Sequence, residues 1–145
     1  KMTFGDAITQ FFHDMAIMEL RIRNHYPAYA KLGYTGSLYL DIISAHQGEY
    51  TPSKLADLLH VARPAVTQKL NQLEKDGYIL KKQNPADKRE YFLYYQPENL
   101  NRLTDSVYTQ MQQKIENTLS QHYTKEELDK FSEILSFIGE ICTTE

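Results

Sequence analysis

Residues 51–95 read TPSKLADLLHVARPAVTQKLNQLEKDGYILKKQNPADKREYFLYY, and the order of signals along this stretch decides the fold. Thr51-Pro52 opens a helix: threonine caps, and proline suits a first turn whose amides lack partners in any case. Leu55, Ala56, Leu58 and Leu59 give that helix its buried side. His60-Val61-Ala62 is a tight connection. A second helix starts near Arg63-Pro64 and turns Val66, Leu70 and Leu73 inward at spacings of four and three. Gly77 closes it as a left-handed cap. Tyr78–Gln83 and Glu90–Tyr95 are rich in aromatic and aliphatic residues, which favour strands. Asn84-Pro85-Ala86-Asp87 between them is turn chemistry, and the whole predicts a hairpin with a long tip.

Two short helices joined by a tight turn and followed at once by a hairpin make a winged helix-turn-helix. The second helix then faces outward with Arg63, Pro64, Thr67, Gln68, Asn71 and Gln72, and Ala65 lies near its leading edge. A major groove admits a helix of this kind. Glutamine and asparagine amides pair with adenine through two hydrogen bonds, arginine pairs with guanine, and alanine or threonine touches a thymine methyl. The competing reading is a solvated polar face on an α-rich protein, and the hairpin weighs against it.

Outward from this centre the chain is helical. Phe4, Ile8, Phe11, Met15, Met18 and Ile22 alternate spacings of four and three along one stripe, which Pro27 interrupts. Ser37–Ala45 reads as a shorter helix with Leu38, Ile42 and Ile43 inward. After Gln96-Pro97-Glu98-Asn99, a long helix carries Leu103, Val107, Met111, Ile115 and Leu119. Thr124-Lys125-Glu126-Glu127 is a capping box for a last helix lined by Leu128, Phe131, Leu135, Ile138 and Ile141. The predicted class is mainly α with a small β-hairpin (α+β), one domain over residues 1–145. Residues 34–99 form its winged lobe, and residues 1–33 and 100–145 a helical dimerisation region. The apolar faces of residues 4–27 and 100–142 exceed what one small core needs, so a homodimer is expected.

Composition narrows the class. With 41% hydrophobic and 24% charged residues the chain is ordinary for a soluble globular protein. No apolar run approaches the ~20 residues that span a bilayer, and no leader-like basic and apolar run stands at its start, so a cytoplasmic location and no membrane partner are expected. A single cysteine, Cys142, cannot pair within the chain. The net charge of −3 hides an asymmetry: residues 51–95 hold eight Lys/Arg against five Asp/Glu, which leaves the flanks acidic. A basic centre of this kind suits phosphate. There is no phosphate-binding glycine loop, nucleophile elbow or His-Glu-x-x-His, so the chain does not read as an enzyme. His13, His25, His46, His60 and His122 are scattered, without the spacing that puts two metal ligands on one helical face. No metal site and no required cofactor are expected.

Leu55-Ala56, Val61 and Pro64-Ala65-Val66-Thr67-Gln68-Lys69-Leu70 resemble the helix-turn-helix of the MarR family of transcriptional regulators. So do Leu73-Glu74-Lys75-Asp76-Gly77-Tyr78-Ile79 and the wing run Asn84-Pro85-Ala86-Asp87-Lys88-Arg89. The match covers residues 34–99, and the flanking helices fit the family's dimerisation arms by order and length. The resemblance implies a sequence-specific DNA-binding regulator, a ligand-responsive repressor that binds double-stranded DNA at a pseudo-palindromic operator as a homodimer. It implies that Arg89 reaches into the minor groove and that Asp87 holds its guanidinium by charge-assisted hydrogen bonds. Lys54, Lys69 and Lys88 become candidates for phosphate contacts, which position without reading sequence. The chain departs from the family in having Ala62 where a capping Ser or Thr is common, and in Tyr95-Gln96 and Asn99 after the wing, where Leu-Thr and Gly are common. The tyrosine-rich strand Tyr91–Tyr95 is a third departure, read as core and strand packing.

The resemblance also implies an effector bound where the dimer helices meet the winged lobe. Many relatives answer to small aromatic or phenolic anions, and Phe11, Phe12, Tyr26, Tyr29, Tyr34 and Tyr39 offer aromatic material. Two alternatives stand beside this reading: a zinc-type metal-responsive regulator of the same fold, and a winged-helix module that binds proteins.

Overall fold

The computed structural model describes residues 1–96 and 105–144, apart from the side chains of Asp105 and Ser106. The described residues form six helices and one two-stranded antiparallel hairpin. The helices are α1 (Phe4–His25), α2 (Pro27–Ala45), α3 (Pro52–Leu59), α4 (Arg63–Lys75), α5 (Asp105–His122) and α6 (Lys125–Thr143), and the hairpin is β1 (Ile79–Asn84) and β2 (Asp87–Tyr95). The chain divides into two compact units, Lys1–Thr104 and Asp105–Glu145. Pro97, Glu98, Asn99 and Leu103 lie outside the described residues.

In the first unit α1 begins on a capping box, in which Asp6 N donates to Thr3 Oγ1 and Thr3 N to Asp6 Oδ2. It stops at His25, because Pro27 disfavours helical geometry in the residue before it. Pro27 instead supplies the first turn of α2, so helix resumes ten residues before the expected start at Ser37. Gly33 breaks α2 at φ 70°, ψ 174°, a region open essentially to glycine alone. The inward face of α2 is also rotated from the expected one: Tyr39, Leu40 and Ile43 are buried, whereas Leu38 and Ile42 are half-buried.

The Thr51 hydroxyl accepts from Lys54 N at 3.2 Å to start α3, and Leu55 and Ala56 point into the core. Leu58 does not: it is 48% exposed, because the helix is only two turns long and its one inward stripe is already filled. His60 turns the chain in the left-handed region, at φ 54° and ψ 44°. Ala62 leaves α4 without a side-chain cap, and Pro64 fixes its first turn. At the far end Tyr78 N donates to Leu73 O and Gly77 N to Glu74 O, with Gly77 at φ 83°, the closing bonds of a Schellman motif.

The hairpin is longer than expected. β1 and β2 pair from Ile79↔Tyr95 to Gln83↔Tyr91, then slip through a bulge to Asn84↔Asp87, so the loop itself is only Pro85-Ala86. The Asn84 side chain accepts from Ala86 N at 2.9 Å and holds that loop closed. On its other edge β2 takes up residues 48–50: Gly48 N donates to Leu93 O and Leu93 N to Tyr50 O, each at 2.9 Å. Gly48 is required there, since at φ 75° any Cβ would lie 2.5 Å from the Tyr94 hydroxyl. Ile79, Leu93 and Tyr95 close the core over Val66, Leu70 and Leu73, all buried.

In the second unit α5 and α6 form a helical pair. Thr124 and Glu127 make the expected capping box. The expected buried side of α6 is uncovered within this unit: Phe131, Leu135 and Ile141 are exposed, and Leu128 and Ile138 only half-buried. Periodicity marks a face as apolar and leaves its partner unspecified.

Candidate nucleic-acid interface

Val66, Leu70 and Leu73 clamp one face of α4 to the core, and this leaves the opposite face to solvent. Pro64, Ala65, Thr67, Gln68 and Asn71 are all exposed there. Arg63, at the first turn, reaches back to α3, where its Nη2 donates to Ser53 Oγ. Gln72 is exposed, and its amide donates to Asp76 Oδ2 at 3.0 Å. The helix thus carries amide, hydroxyl and methyl groups forward and commits its end residues to local bonds.

The hairpin tip holds the second group. Asp87 Oδ1 accepts from Arg89 N at 3.0 Å and from Arg89 Nε at 3.1 Å, while Oδ2 accepts from Arg89 Nη2 at 3.3 Å. The bond from the Arg89 side chain, with that from its backbone, holds the Asp87 carboxyl below the usual aspartate range. The Arg89 side chain is nonetheless 90% exposed. Its guanidinium is fixed at one edge and open elsewhere, which reduces the conformational entropy it would lose on meeting an acceptor. Lys88 is exposed beside it, and its carbonyl accepts from Gln83 Nε2.

The lysines expected at phosphates separate into two kinds. Lys54 is exposed on α3. Lys69 is half-buried, and its Nζ donates to Leu32 O at 3.2 Å, at the break in α2. A Cβ on Gly36 would lie 3.1 Å from Lys69 Cε, so that glycine makes room for the stem. The next carbonyl, Gly33 O, accepts from Ser37 Oγ at 2.8 Å, and Arg23 Nη2 donates to that hydroxyl. The carbonyls freed by the break are thus taken up by side chains of α4 and α2.

Lys81 was missed as a site residue by sequence reasoning. It bridges wing and helix: its Nζ donates to Asn71 Oδ1, lies 3.2 Å from Glu74 Oε1, and sits 4.9 Å from the centre of the Tyr91 ring. The signal was available. Alternation along β1 puts Lys81 on the same face as buried Ile79, toward α4.

The aromatic residues proposed for an effector do not share one environment. Tyr29 and Tyr39 are buried in the core, Tyr26 is half-buried, and Phe11, Phe12 and Tyr34 are exposed. Burial raises the Tyr39 hydroxyl above its usual range. Among the described residues no three His, Cys, Asp or Glu side chains gather in a metal-holding group. None of the described helices is long and apolar enough to cross a membrane.

The model of the MarR family matches residues 37–91, from the middle of α2 into the wing. Solved structures extend the MarR likeness over nearly the whole chain. A mutant MepR from a multidrug-resistant S. aureus clinical isolate superposes with a TM-score of 0.75 at 17% identity, covering 98% of this chain and 99% of that one. Streptococcus pneumoniae FabT in complex with DNA gives 0.63 at 20% identity, covering 95% and 94%. The transcriptional regulator Tm0710 from Thermotoga maritima gives 0.58 at 25% identity, covering 93% and 91%. The chain therefore has the fold of MarR-family transcription regulators, outer helices included. None of the curated proteins matches the sequence.

Proposed function

We propose that this chain is a homodimeric regulator that binds duplex DNA sequence-specifically, with α4 in the major groove and the wing arginine in the minor groove. One observation carries the reading: the exposed polar face of α4 is accompanied by a wing-tip Arg89 that Asp87 holds open to solvent. A DNA complex of the structurally similar FabT supports the same use of the fold. The uncovered apolar faces of α1 and α6 support the dimer, which pairs two half-sites on a pseudo-palindromic operator. We read the protein as a cytoplasmic repressor and not an enzyme, released by a small aromatic or phenolic effector. Exposed Phe11, Phe12 and Tyr34 offer aromatic groups to such an effector.

The test is binding to sites selected from a random duplex pool, measured across salt concentrations. Affinity should fall steeply as salt rises, because phosphate contacts release counterions. Arg89→Ala should weaken binding to the selected site by the equivalent of about 1–3 kcal/mol and leave melting unchanged. Asp87→Ala should act in the same direction and more mildly. Absence of sequence-selective duplex binding overturns the proposal. Melting in the presence of hydroxybenzoates addresses the effector, and no shift with any of them removes that part.

A further inference from the structure

Asn71 is exposed on the outward face of α4, and Lys81 approaches it from β1. An ammonium carries donors only, so the oxygen end of the Asn71 amide must face Lys81, and it does so at 2.5 Å. Lys81 is itself fixed by the Glu74 carboxylate at 3.2 Å and by the Tyr91 ring, with its side chain only 15% exposed. The amide therefore has one orientation, with its nitrogen end left to meet a ligand. Among the described residues no acceptor engages that nitrogen.

We infer that Lys81 is a positioning residue that sets which base Asn71 reads, making it a reader of guanine rather than adenine. This rests on the DNA-binding reading above and refines it. An asparagine amide recognises adenine by accepting from N6–H and donating to N7 at once. Here the accepting end is occupied. An adenine amino group approaching the second lone pair of Oδ1 meets the ammonium, which offers only like donors and positive charge. Guanine presents N7 and O6, both acceptors, on the same edge, and the Asn71 nitrogen can donate to either without an accepting partner beside it. The ion-paired, ring-covered Lys81 is at the same time a poor phosphate contact. Its charge is matched by Glu74 on α4 one turn beyond Asn71, and its head is turned to the protein.

The experiment uses the full chain and sites selected from random duplexes by the unaltered protein, Asn71→Ala, Asn71→Asp, Lys81→Met and Lys81→Arg. Selection by the unaltered protein should give a position where guanine is preferred to adenine by about tenfold. That preference should vanish in Asn71→Ala and in Asn71→Asp, which has no donor. Lys81→Met should bring adenine level with guanine at that position alone, and change the salt slope by well under one unit. Lys81→Arg, which still donates to Oδ1, should keep the guanine preference. An adenine preference that Asn71→Ala abolishes in the unaltered protein overturns the inference and leaves DNA binding intact. So does Lys81→Met with an unchanged base preference and a slope lowered by one unit, which makes Lys81 a phosphate contact. Failure to select any sequence overturns both readings. Asn71→Asp at an exposed position keeps the test decisive if Lys81→Met does not fold.

Discussion

In the winged lobe Ile43, Leu55, Val66, Leu70 and Leu93 are sealed completely within their own chain, whereas on α6 Phe131, Leu135 and Ile141 stand 47%, 45% and 64% exposed. Both regions obey the same helical periodicity. The lobe closes because a helix pair is followed by a hairpin that lays Ile79 and Leu93 across it. The α5–α6 pair is two elements with no third to cover them within its unit. Burying such side chains is worth about 1.5–3 kcal/mol each relative to exposure. A region that leaves this unused in the single chain is built to be completed by another surface, and under the proposed reading that surface is a second copy.

The contrast is broken most severely by one variant in each region. Leu93→Ala removes a fully buried side chain and should destabilise the lobe by about 2–5 kcal/mol, by the same amount at every protein concentration. Phe131→Glu with Leu135→Glu leaves the lobe core untouched and puts two carboxylates on an apolar face. It should yield monomers in sedimentation at micromolar protein and lower operator affinity by about a hundredfold or more, since one half-site contact set is lost from a paired site. Melting of the unaltered protein should rise with concentration, as expected of linked folding and association. A double variant that still sediments as a dimer would mean that α6 has some other use.

The same contrast explains what the sequence made legible. Val66, Leu70 and Leu73 were readable as the inward face of α4, and Gly77 as its cap, because propensity, period and turn chemistry agree there. The start of α2 was not readable: Pro27 both ends one helix and begins the next, and Gly33 interrupts the pattern that would have extended Ser37–Ala45 backward. Leu58 was misplaced because a two-turn helix offers too few residues to fix its inward face. Among candidate site residues, those on the outer face of α4 follow from the inner face by geometry. Lys69 could not be placed this way. It borders the buried stripe, and its direction depends on a carbonyl released by a glycine 36 positions earlier in the chain.

That residue gives a finer test within the lobe. Lys54→Ala should lower the salt slope of operator binding by about one unit, as loss of a phosphate contact does. Lys69→Ala should leave the slope nearly unchanged and lower stability by about 1 kcal/mol, the usual net worth of one hydrogen bond. Equal slope changes in the two variants would mean that Lys69 leaves Leu32 when DNA arrives.

The smallest effect lies at the wing tip and bears on whether Asp87 and Arg89 are paired before any DNA is present. The Asp87 carboxyl is held below the usual aspartate range, first by the bond from the Arg89 side chain and then by that from its backbone amide. A folded-state value below the unfolded one means that the pair contributes above the unfolded value and is lost as pH falls through the lower, folded one. Asp87 should therefore remain ionised while exposed, unpaired aspartates of the same protein take up protons. Carbon-detected NMR of its carboxyl through an acid titration reads this directly. Arg89→Ala removes the side-chain donor and keeps the backbone one, so the midpoint should rise part of the way to the ordinary aspartate value. Because both groups are exposed, overall melting should scarcely change. If Asp87 titrates with the ordinary aspartates in both proteins, the guanidinium is free at the tip and any ordering of Arg89 comes from the DNA.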